Sequence, residues 1–599
     1  MSLNLIQDEE AWKQLEDQEF RAAWLKLFAV CPWSTAFQTP EFLVTWYKNY
    51  RADYSPLVVW KEPTHDQAGG LLFLARHGKT GELALAGTHQ AEYQVWLAEP
   101  KEGERFVTEA LDAVRARFPG KSLTFRYLPA AAPTGWARGA SAWSANCAIE
   151  AWRRPIVRLN DETFVKDYLA QKRKRRSTKS YYNQLRKIGE LEFTRVEDQA
   201  ELREVIDELI SYYDSRQLAM HGEAPFHDDC VKREFHLDMM RQRGLLHVTV
   251  FRAGGKIVSA QFGIASGKEL ILAMPIFSPF FAEQSPITLH YLLLVEKAVA
   301  EGYQVLDMTP GESGFKDRFA TDQEYVHVLR VYFLPWQRQL RTTRLAAEEL
   351  LRAVLRRVKI SPTEVRERIS SWKKSLAKMK WQEVPKYLGN RFQRVGRKIY
   401  SLDESRIYLI DKTEIEKAKN LSLMRRDSVE DLIHFVPVEH WQDRQNFVRE
   451  SLHRMERKQH SYTRVENDRL VHFGWLDENQ KEAVFPEVGQ RLMLPPGTAV
   501  LYDFYTDPAA RGKGLYKTAM TQMLHDAAET GGVKRMLIAV LAANRASRRA
   551  IEHVGFVYAF SLYRSVSFGR QRTSTSPLPE GWTAVPNLEA PEESEAGET

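Results

Sequence analysis

The stretch Ala499-Val500-Leu501-Tyr502-Asp503-Phe504-Tyr505-Thr506-Asp507-Pro508-Ala509-Ala510-Arg511-Gly512-Lys513-Gly514-Leu515-Tyr516 decides how this chain folds. Its first half is a hydrophobic strand pattern, and a short basic turn containing two glycines follows. From Leu515 onward the apolar residues Leu515, Ala519, Met520, Met523, Leu524 and Ala527 recur at about one helical turn. Glycines let the backbone curl, so that successive N–H groups and the positive end of the helix converge on one point. That geometry suits a pyrophosphate. Arg511 and Lys513 add charge-assisted contacts.

A second block follows the first. Met536 to Leu541 reads as a strand, and Asn544-Arg545-Ala546-Ser547 starts a short helix that ends at His553-Val554-Gly555-Phe556. The succession of strand, Arg-Gly-Lys-Gly loop, helix, strand, Asn-x-x-Ser helix and Gly-Phe resembles the acetyl-coenzyme A (acetyl-CoA) binding core of the GNAT acetyltransferase superfamily. The resemblance implies that Arg511, Gly512, Lys513, Gly514, Leu515 and Tyr516 hold the coenzyme pyrophosphate. It implies that the strand carrying Leu501, Phe504 and Tyr505 supports the pantetheine and thioester, with Asn544 and Ser547 near the pantetheine arm. Acetyl-CoA or another acyl-CoA is the implied co-substrate. The chain departs from the family at Tyr516, where Gly or Ala is usual, and at Ile551, where a tyrosine often protonates the thiolate.

Acyl transfer of this kind needs an uncharged amine or hydroxyl, a polarised thioester carbonyl and a proton source for the leaving thiolate. The candidate bases are Asp503, Glu466 and His472, the last within Val471-His472-Phe473-Gly474-Trp475. A histidine on an apolar strand can equally be a satisfied core residue. Tyr558 and Tyr563 are the candidates for the missing acid.

Residues 1–335 carry a longer pattern. It comprises Phe37-Gln38-Thr39-Pro40-Glu41-Phe42 with Trp46, a basic helix from Lys172 to Lys187, and Tyr213-Asp214-Ser215-Arg216 before Pro225-Phe226. It continues with a three-strand meander between Leu245 and Phe277, then Ser285-Pro286, Leu306-Asp307-Met308-Thr309-Pro310-Gly311, Phe315-Lys316 and Phe319. This order resembles the FemAB-like acetyltransferases related to CelD proteins of bacterial cellulose and exopolysaccharide biosynthesis, which are built from two GNAT-like halves. Asp307 and Lys316 are the candidate catalytic residues here, with Arg216 and the basic helix as anion binders. Asp307 as a turn cap and Lys316 as a surface lysine are the plainer readings. No Arg-x-x-Gly-x-Gly loop occurs in either half.

The expected architecture is therefore α/β with three GNAT-like units. Residues 1–154 and 155–335 form the FemAB-like pair, 336–400 a basic helical arm, 401–571 a C-terminal GNAT domain and 572–599 a disordered acidic tail. The chain of 599 residues, with 44% hydrophobic, 27% charged and 11% aromatic residues, has room for about four folded units. Its net charge of +7 is uneven. Residues 336–400 hold about 18 basic side chains against about 5 glutamates, in apolar runs at helical spacing. Such an arm is a solvated spacer or a contact for anionic lipid, a polysaccharide synthase or another acidic partner; nucleic acid is not expected.

Cys31, Cys147 and Cys230 are too few and too scattered for a disulfide framework or a Cys-x-x-Cys metal site, so no metal is expected. HExxH, Gly-x-Ser-x-Gly and GxxxxGK[ST] do not occur, which excludes the common zinc-protease, lipase and nucleotide-triphosphatase readings. No stretch is long and apolar enough for a membrane span, and the expectation is a cytoplasmic protein, peripheral to the inner membrane if the arm binds lipid. Three functions stay open at this level. One is an acetyl-CoA-dependent acyltransferase acting on a sugar or amino sugar of surface-polysaccharide synthesis. The others are a FemX-type aminoacyl-tRNA-dependent ligase and a non-enzymatic docking scaffold.

Overall fold

The computed structural model describes residues 3–62, 69–139, 141–311, 314–339, 343, 400–418, 421–439, 442–567 and 570–586. Nearly all of the expected basic arm, and the tail from 587, lie outside the described residues. Two compact units form, one of residues 1–213 with 225–354, the other of 214–224 with 355–599. Both are mixed α/β, as the sequence leads one to expect.

In the first unit, Asn4–Gln7, Tyr54–Lys61, Gly70–His77 and Leu83–Leu85 form an antiparallel sheet, with Leu97–Ala98 added to Gly70–His77. Thr39 caps the helix Pro40–Asn49 by accepting from the Phe42 N–H, and Pro40 occupies the first turn, where its missing N–H costs nothing. The helix buries Phe42, Trp46 and Tyr47.

A second sheet has the order Ser122–Leu128, Asp322–Tyr332, Cys147–Arg158, Val305–Asp307, Glu269–Phe277, Lys256–Ser266, Leu246–Ala253, Leu191–Val196. The expected meander is its right-hand part. It turns at Gly254 and Gly255, with φ of +56° and +75°, and at Gly267, with φ of +60°. Asp322–Tyr332 pairs with both Ser122–Leu128 and Cys147–Arg158, so a division at 154 passes through the middle of a strand. The helix Pro286–Ala300 covers this sheet with Leu289, Leu292 and Val295.

The second unit is built on Arg425–Arg426, His460–Glu466, Arg469–Asp477, Thr498–Thr506, Arg535–Leu541, Tyr400–Asp411, Val557–Ser567 and Arg570–Thr575, in that spatial order. The hairpin before Arg469 turns at Asn467 and Asp468, both with positive φ of 50° and 54°, the conformation a two-residue turn demands. Successive strand residues face opposite sides. Leu501 and Ile538 meet Met520, Met523 and Ile551 of the helices Leu515–Thr530 and Arg545–Val554 on one face. On the other, Val500, Leu537, Phe560 and Leu562 meet a three-stranded sheet of Glu482–Phe485, Gln490–Met493 and Thr583–Pro586.

Two local expectations fail. The segment Ile433 to Val438 reads from the sequence as a strand, but it forms none, because Ile433 ends a short helix, Val429–Ile433, and the residues after it lack a ladder. Phe435 is buried against Phe447 at 4.1 Å, while Val436 and Val438 are exposed, so the segment is a loop with one anchored side chain. Within the segment expected to be a disordered tail, residues 572–586 are ordered. Arg570–Thr575 extends the large sheet, Thr583–Pro586 completes the small one, and Trp582 packs on Phe560 at 5.6 Å. The polar composition of 572–586 concealed this because backbone pairing and one tryptophan supply the attachment.

Candidate active site

Thr498–Thr506 and Arg535–Leu541 are parallel, but they pair only from Thr498↔Arg535 to Leu501↔Ile538. Beyond Leu501 the two strands part and leave a slot between them. On its other side Thr498–Thr506 pairs with Arg469–Asp477 and shifts register between Phe473↔Tyr505 and Trp475↔Tyr502. One extra residue is therefore inserted opposite Gly474, and Asp503 takes φ of +49°. A β-carbon on Gly474 would lie 2.4 Å from the Phe504 ring, so only glycine fits opposite the bulge.

Past Thr506 the chain makes a turn held by Asp507, which is buried, accepts from the Ala509 N–H at 2.9 Å and pairs with Arg469 at 2.7 Å. Gly512 and Gly514 then adopt φ of +82° and +79°. Nothing lies within 4 Å of where a β-carbon would sit on either. Gly514 precedes the helix Leu515–Thr530, whose first intrahelical donor is Thr518. Among the described residues, the N–H groups of Gly512, Lys513 and Gly514 have no acceptor, and the first turn of the helix adds its own orphan donors. This is an open concave set of N–H groups. The residues present fit a coenzyme pyrophosphate, with the slot leading away from it along Thr498–Thr506.

The expected coenzyme residues occupy these places. Leu501 is a buried core residue at the last paired position. Phe504 lies edge to face with Tyr516 at 4.8 Å, and Tyr505 stacks on Phe473 at 5.4 Å. Leu515 packs on the core below. Arg511 is exposed, and Lys513 Nζ donates to Glu466 Oε2 at 2.9 Å, an ion pair that holds the Glu466 carboxyl below its usual range. Asn544 caps Arg545–Val554, its Oδ1 accepting from the Ser547 N–H at 3.1 Å. Ile551 is fully buried.

The candidate acid–base residues divide. His472 is fully buried, its Nδ1 2.8 Å from Thr506 Oγ1 and its Nε2 without a partner among the described residues. Burial pushes its pKa down to about 4, so the ring is neutral at pH 7. It lies beneath Phe504 and Tyr516, at centroid distances of 6.2 and 6.5 Å, and supports the loop from below. Asp503 is half exposed and tied to Arg454 at 2.5 Å. The structure does not bring Tyr558 or Tyr563 to the slot. They lie on Val557–Ser567, separated from Thr498–Thr506 by two strands, about 14 Å at ordinary strand spacing. The Tyr558 hydroxyl lies 3.0 Å from Ser561 Oγ, and the Tyr563 carbonyl accepts from Gln490 at 2.9 Å.

In the first unit, Asp307 is fully buried. It accepts from Tyr93 Oη at 2.6 Å, Arg154 Nε at 3.0 Å and the Thr309 N–H at 2.7 Å. The expected cap is thus real, and it is one bond of a larger network. Arg154 also pairs with Glu269 at 2.5 Å and Glu324 at 2.9 Å. Lys316 is not a surface lysine: its Nζ donates to the Thr309 and Pro310 carbonyls at 3.0 and 3.2 Å, and burial lowers its pKa. In the basic helix region, Lys172 reaches the Arg318 carbonyl and Arg173 pairs with Glu296 at 2.6 Å, while Arg175, Arg176, Lys179 and Lys187 stay exposed. Arg216, which falls in the second unit, is half-buried. Tyr93, Arg154, Arg454 and Thr506 escaped the sequence reading because their partners come from other strands and loops.

Comparison with known proteins agrees with this geometry. Residues 172–317 match the family model described as an acetyltransferase (GNAT) domain, and residues 426–556 match that of the acetyltransferase (GNAT) family. No curated protein matches. Among solved structures, FemX is similar at 8% identity over 53% of this chain and 98% of its own, with a TM-score of 0.37. A GNAT-family acetyltransferase from Colwellia psychrerythraea shows 14% identity over 62% and 97%, with a TM-score of 0.21. A tandem GNAT protein from the clavulanic acid biosynthesis pathway shows 11% identity over 66% and 99%, with a TM-score of 0.21. Likenesses this distant carry no weight on function; the two family models and the parted parallel strands do. The chain contains two domains of the GNAT acetyltransferase superfamily and is an acyltransferase.

Proposed function

We propose that the second unit binds acetyl-CoA, or another acyl-CoA, and transfers the acyl group to an amine or hydroxyl of a sugar or amino sugar. The observation that carries this reading is the loop 511–516, whose glycines at positive φ leave open space and acceptor-free N–H groups at the head of a parted parallel strand pair. Bound there, the coenzyme supplies the activated thioester. Gly512 to Tyr516 orient its pyrophosphate, and the unpaired edge of residues 502–506 offers backbone groups to the pantetheine arm. Asp503, on the bulge, is the residue placed to take a proton from the acceptor, with Arg454 setting its position.

The sugar acceptor, and a role in exopolysaccharide, cellulose or cell-envelope synthesis, rest on the CelD-like order of motifs in residues 1–335. A cytoplasmic enzyme whose basic arm contacts an anionic membrane or a polysaccharide synthase is consistent with the charge of 336–400. The test is calorimetric titration of acetyl-CoA into the full-length protein and into Gly514→Glu. The expected result is saturable binding lost in the variant; binding that survives the substitution would refute the assignment.

A further inference from the structure

The segment Lys172 to Ile188 holds eight basic residues and no acidic one. Two of the eight are engaged within the protein: Lys172 donates to the Arg318 carbonyl, and Arg173 pairs with Glu296. Lys174, Arg175, Arg176, Lys179, Arg186 and Lys187 are exposed, and among the described residues none of their side chains makes an ion pair or a hydrogen bond. The acyl-transfer reading uses none of them.

Arg176–Arg186 is a helix laid along the first unit by one face. Thr178 and Leu185 are buried, and Leu185, with Tyr181 and Tyr182, packs on a core that includes Phe251, Val258 and Leu289. Arg176, Lys179 and Arg186 lie on the opposite face, where their spacing brings them into one row. The uncharged residues beside them on that face, Ser177, Ser180 and Asn183, are short, so the long cationic side chains reach past them.

This charge works against the local structure. The helix has no acidic residue in its first turn and no side-chain cap, while Lys174, Arg175 and Arg176 crowd its positive end. Each choice costs helix stability, and local rules of this kind are broken where a surface serves a function. Six unneutralised cations on and around about 16 Å of helix match an extended polyanion better than a small anion. Single-stranded nucleic acid is held by aromatic rings on which bases stack, and the two tyrosines here pack on the core instead. A lipid surface takes cations flanked by apolar groups. Ile188 supplies one: it directly follows Lys187 and is 46% exposed.

We propose that this face docks the first unit on a bilayer rich in anionic phospholipid, with the six cations on the headgroup phosphates and Ile188 inserted between headgroups. Each basic residue close to such a surface contributes about fivefold in affinity, so the six together form a peripheral anchor that does not depend on the arm 336–400. The surface uses no residue of the loop 511–516. It therefore stands whether or not the second unit binds acetyl-CoA.

The test is flotation of the full-length protein with vesicles of phosphatidylglycerol and phosphatidylcholine mixed equally, and with phosphatidylcholine alone. Binding is expected only to the anionic vesicles and should fall as salt is raised. Arg176→Gln, Lys179→Gln and Arg186→Gln combined should weaken it about a hundredfold. A control combines Lys26→Gln, Lys79→Gln and Lys101→Gln, exposed lysines elsewhere on the first unit; it removes the same net charge and should leave binding within about twofold of wild type. Ile188→Ser should weaken binding about fivefold without any change of charge. All these variants replace exposed side chains and should keep the wild-type thermal midpoint. Absence of wild-type binding to the anionic vesicles, an equal loss in the control, or unchanged binding by the Arg176, Lys179 and Arg186 variant would each overturn the proposal, the last by placing the contact in 336–400. Titration of the same proteins with transfer RNA covers the other polyanion: RNA binding lost in that variant, with no vesicle binding by wild type, would assign the face to nucleic acid instead.

Discussion

Gly474 and Phe504 are locked together across two strands: the Phe504 ring occupies the space where any side chain at 474 would begin, 2.4 Å from an ideal β-carbon. The contact exists because the bulge at Asp503 turns Phe504 toward the helix Leu515–Thr530, where it meets Tyr516. Gly474→Ala should therefore displace Phe504 and with it the start of the helix. Overpacking of this kind costs about 1–3 kcal/mol. The expected outcome is a lower unfolding midpoint together with weaker acetyl-CoA binding, measured by thermal unfolding and calorimetry.

The loop glycines fail differently when replaced. Gly512→Ala and Gly514→Ala meet no neighbour, so each should cost only the left-handed backbone term, about 1–2 kcal/mol. Circular dichroism should show an intact fold in both, and acetyl-CoA affinity should fall as the loop shifts to relieve the strain. A pair of variants with unaltered affinity would show that these backbone conformations do not serve the coenzyme.

Trp582 makes the segment 570–586 structural. It is buried against Phe560 and closes the core between the large and small sheets. Trp582→Ala is expected to destabilise the second unit by about 3–5 kcal/mol, the usual cost of emptying a large aromatic site. Deletion from residue 572 should do at least as much, since it also strips a strand from each sheet. Urea unfolding of the two variants against wild type gives the comparison.

Buried histidines set an acid limit on stability. His236 and His290 are fully enclosed, and burial pushes their pKa values down to about 3; His472 is pushed down to about 4. In the unfolded chain these rings titrate near about 6.5. The folded state thus binds fewer protons than the unfolded state between those limits. Stability is complete above about pH 6.5 and declines as the pH falls toward 4 and then 3. Urea midpoints should drop from pH 7.5 to 5.5, and His290→Gln, which can keep bonds to Thr249 and Ser259, should flatten that slope.

Asp307 tests the network of the first unit. Asp307→Ala leaves Arg154 without its buried partner, a loss of about 3–5 kcal/mol, whereas Tyr93→Phe removes one hydrogen bond, about 1 kcal/mol. Equal effects in urea unfolding would mean that Arg154 is adequately neutralised by Glu269 and Glu324 alone.

The sequence by itself determined the elements that depend on neighbours along the chain. The Arg-Gly-Lys-Gly turn, the helix behind it, the Asn467-Asp468 hairpin and the glycine-linked meander all follow from local periodicity and from the few residues that tolerate positive φ. The tertiary structure alone decided what depends on partners distant in sequence. It put Tyr93 and Arg154 on Asp307, Arg454 on Asp503 and Thr506 on His472, and it moved Tyr558 and Tyr563 away from the slot. It also ordered residues 570–586 through strand pairing. A side chain's chemistry is written in its residue type, but its charge state and role are set by burial and by the groups that strand order brings within hydrogen-bonding distance.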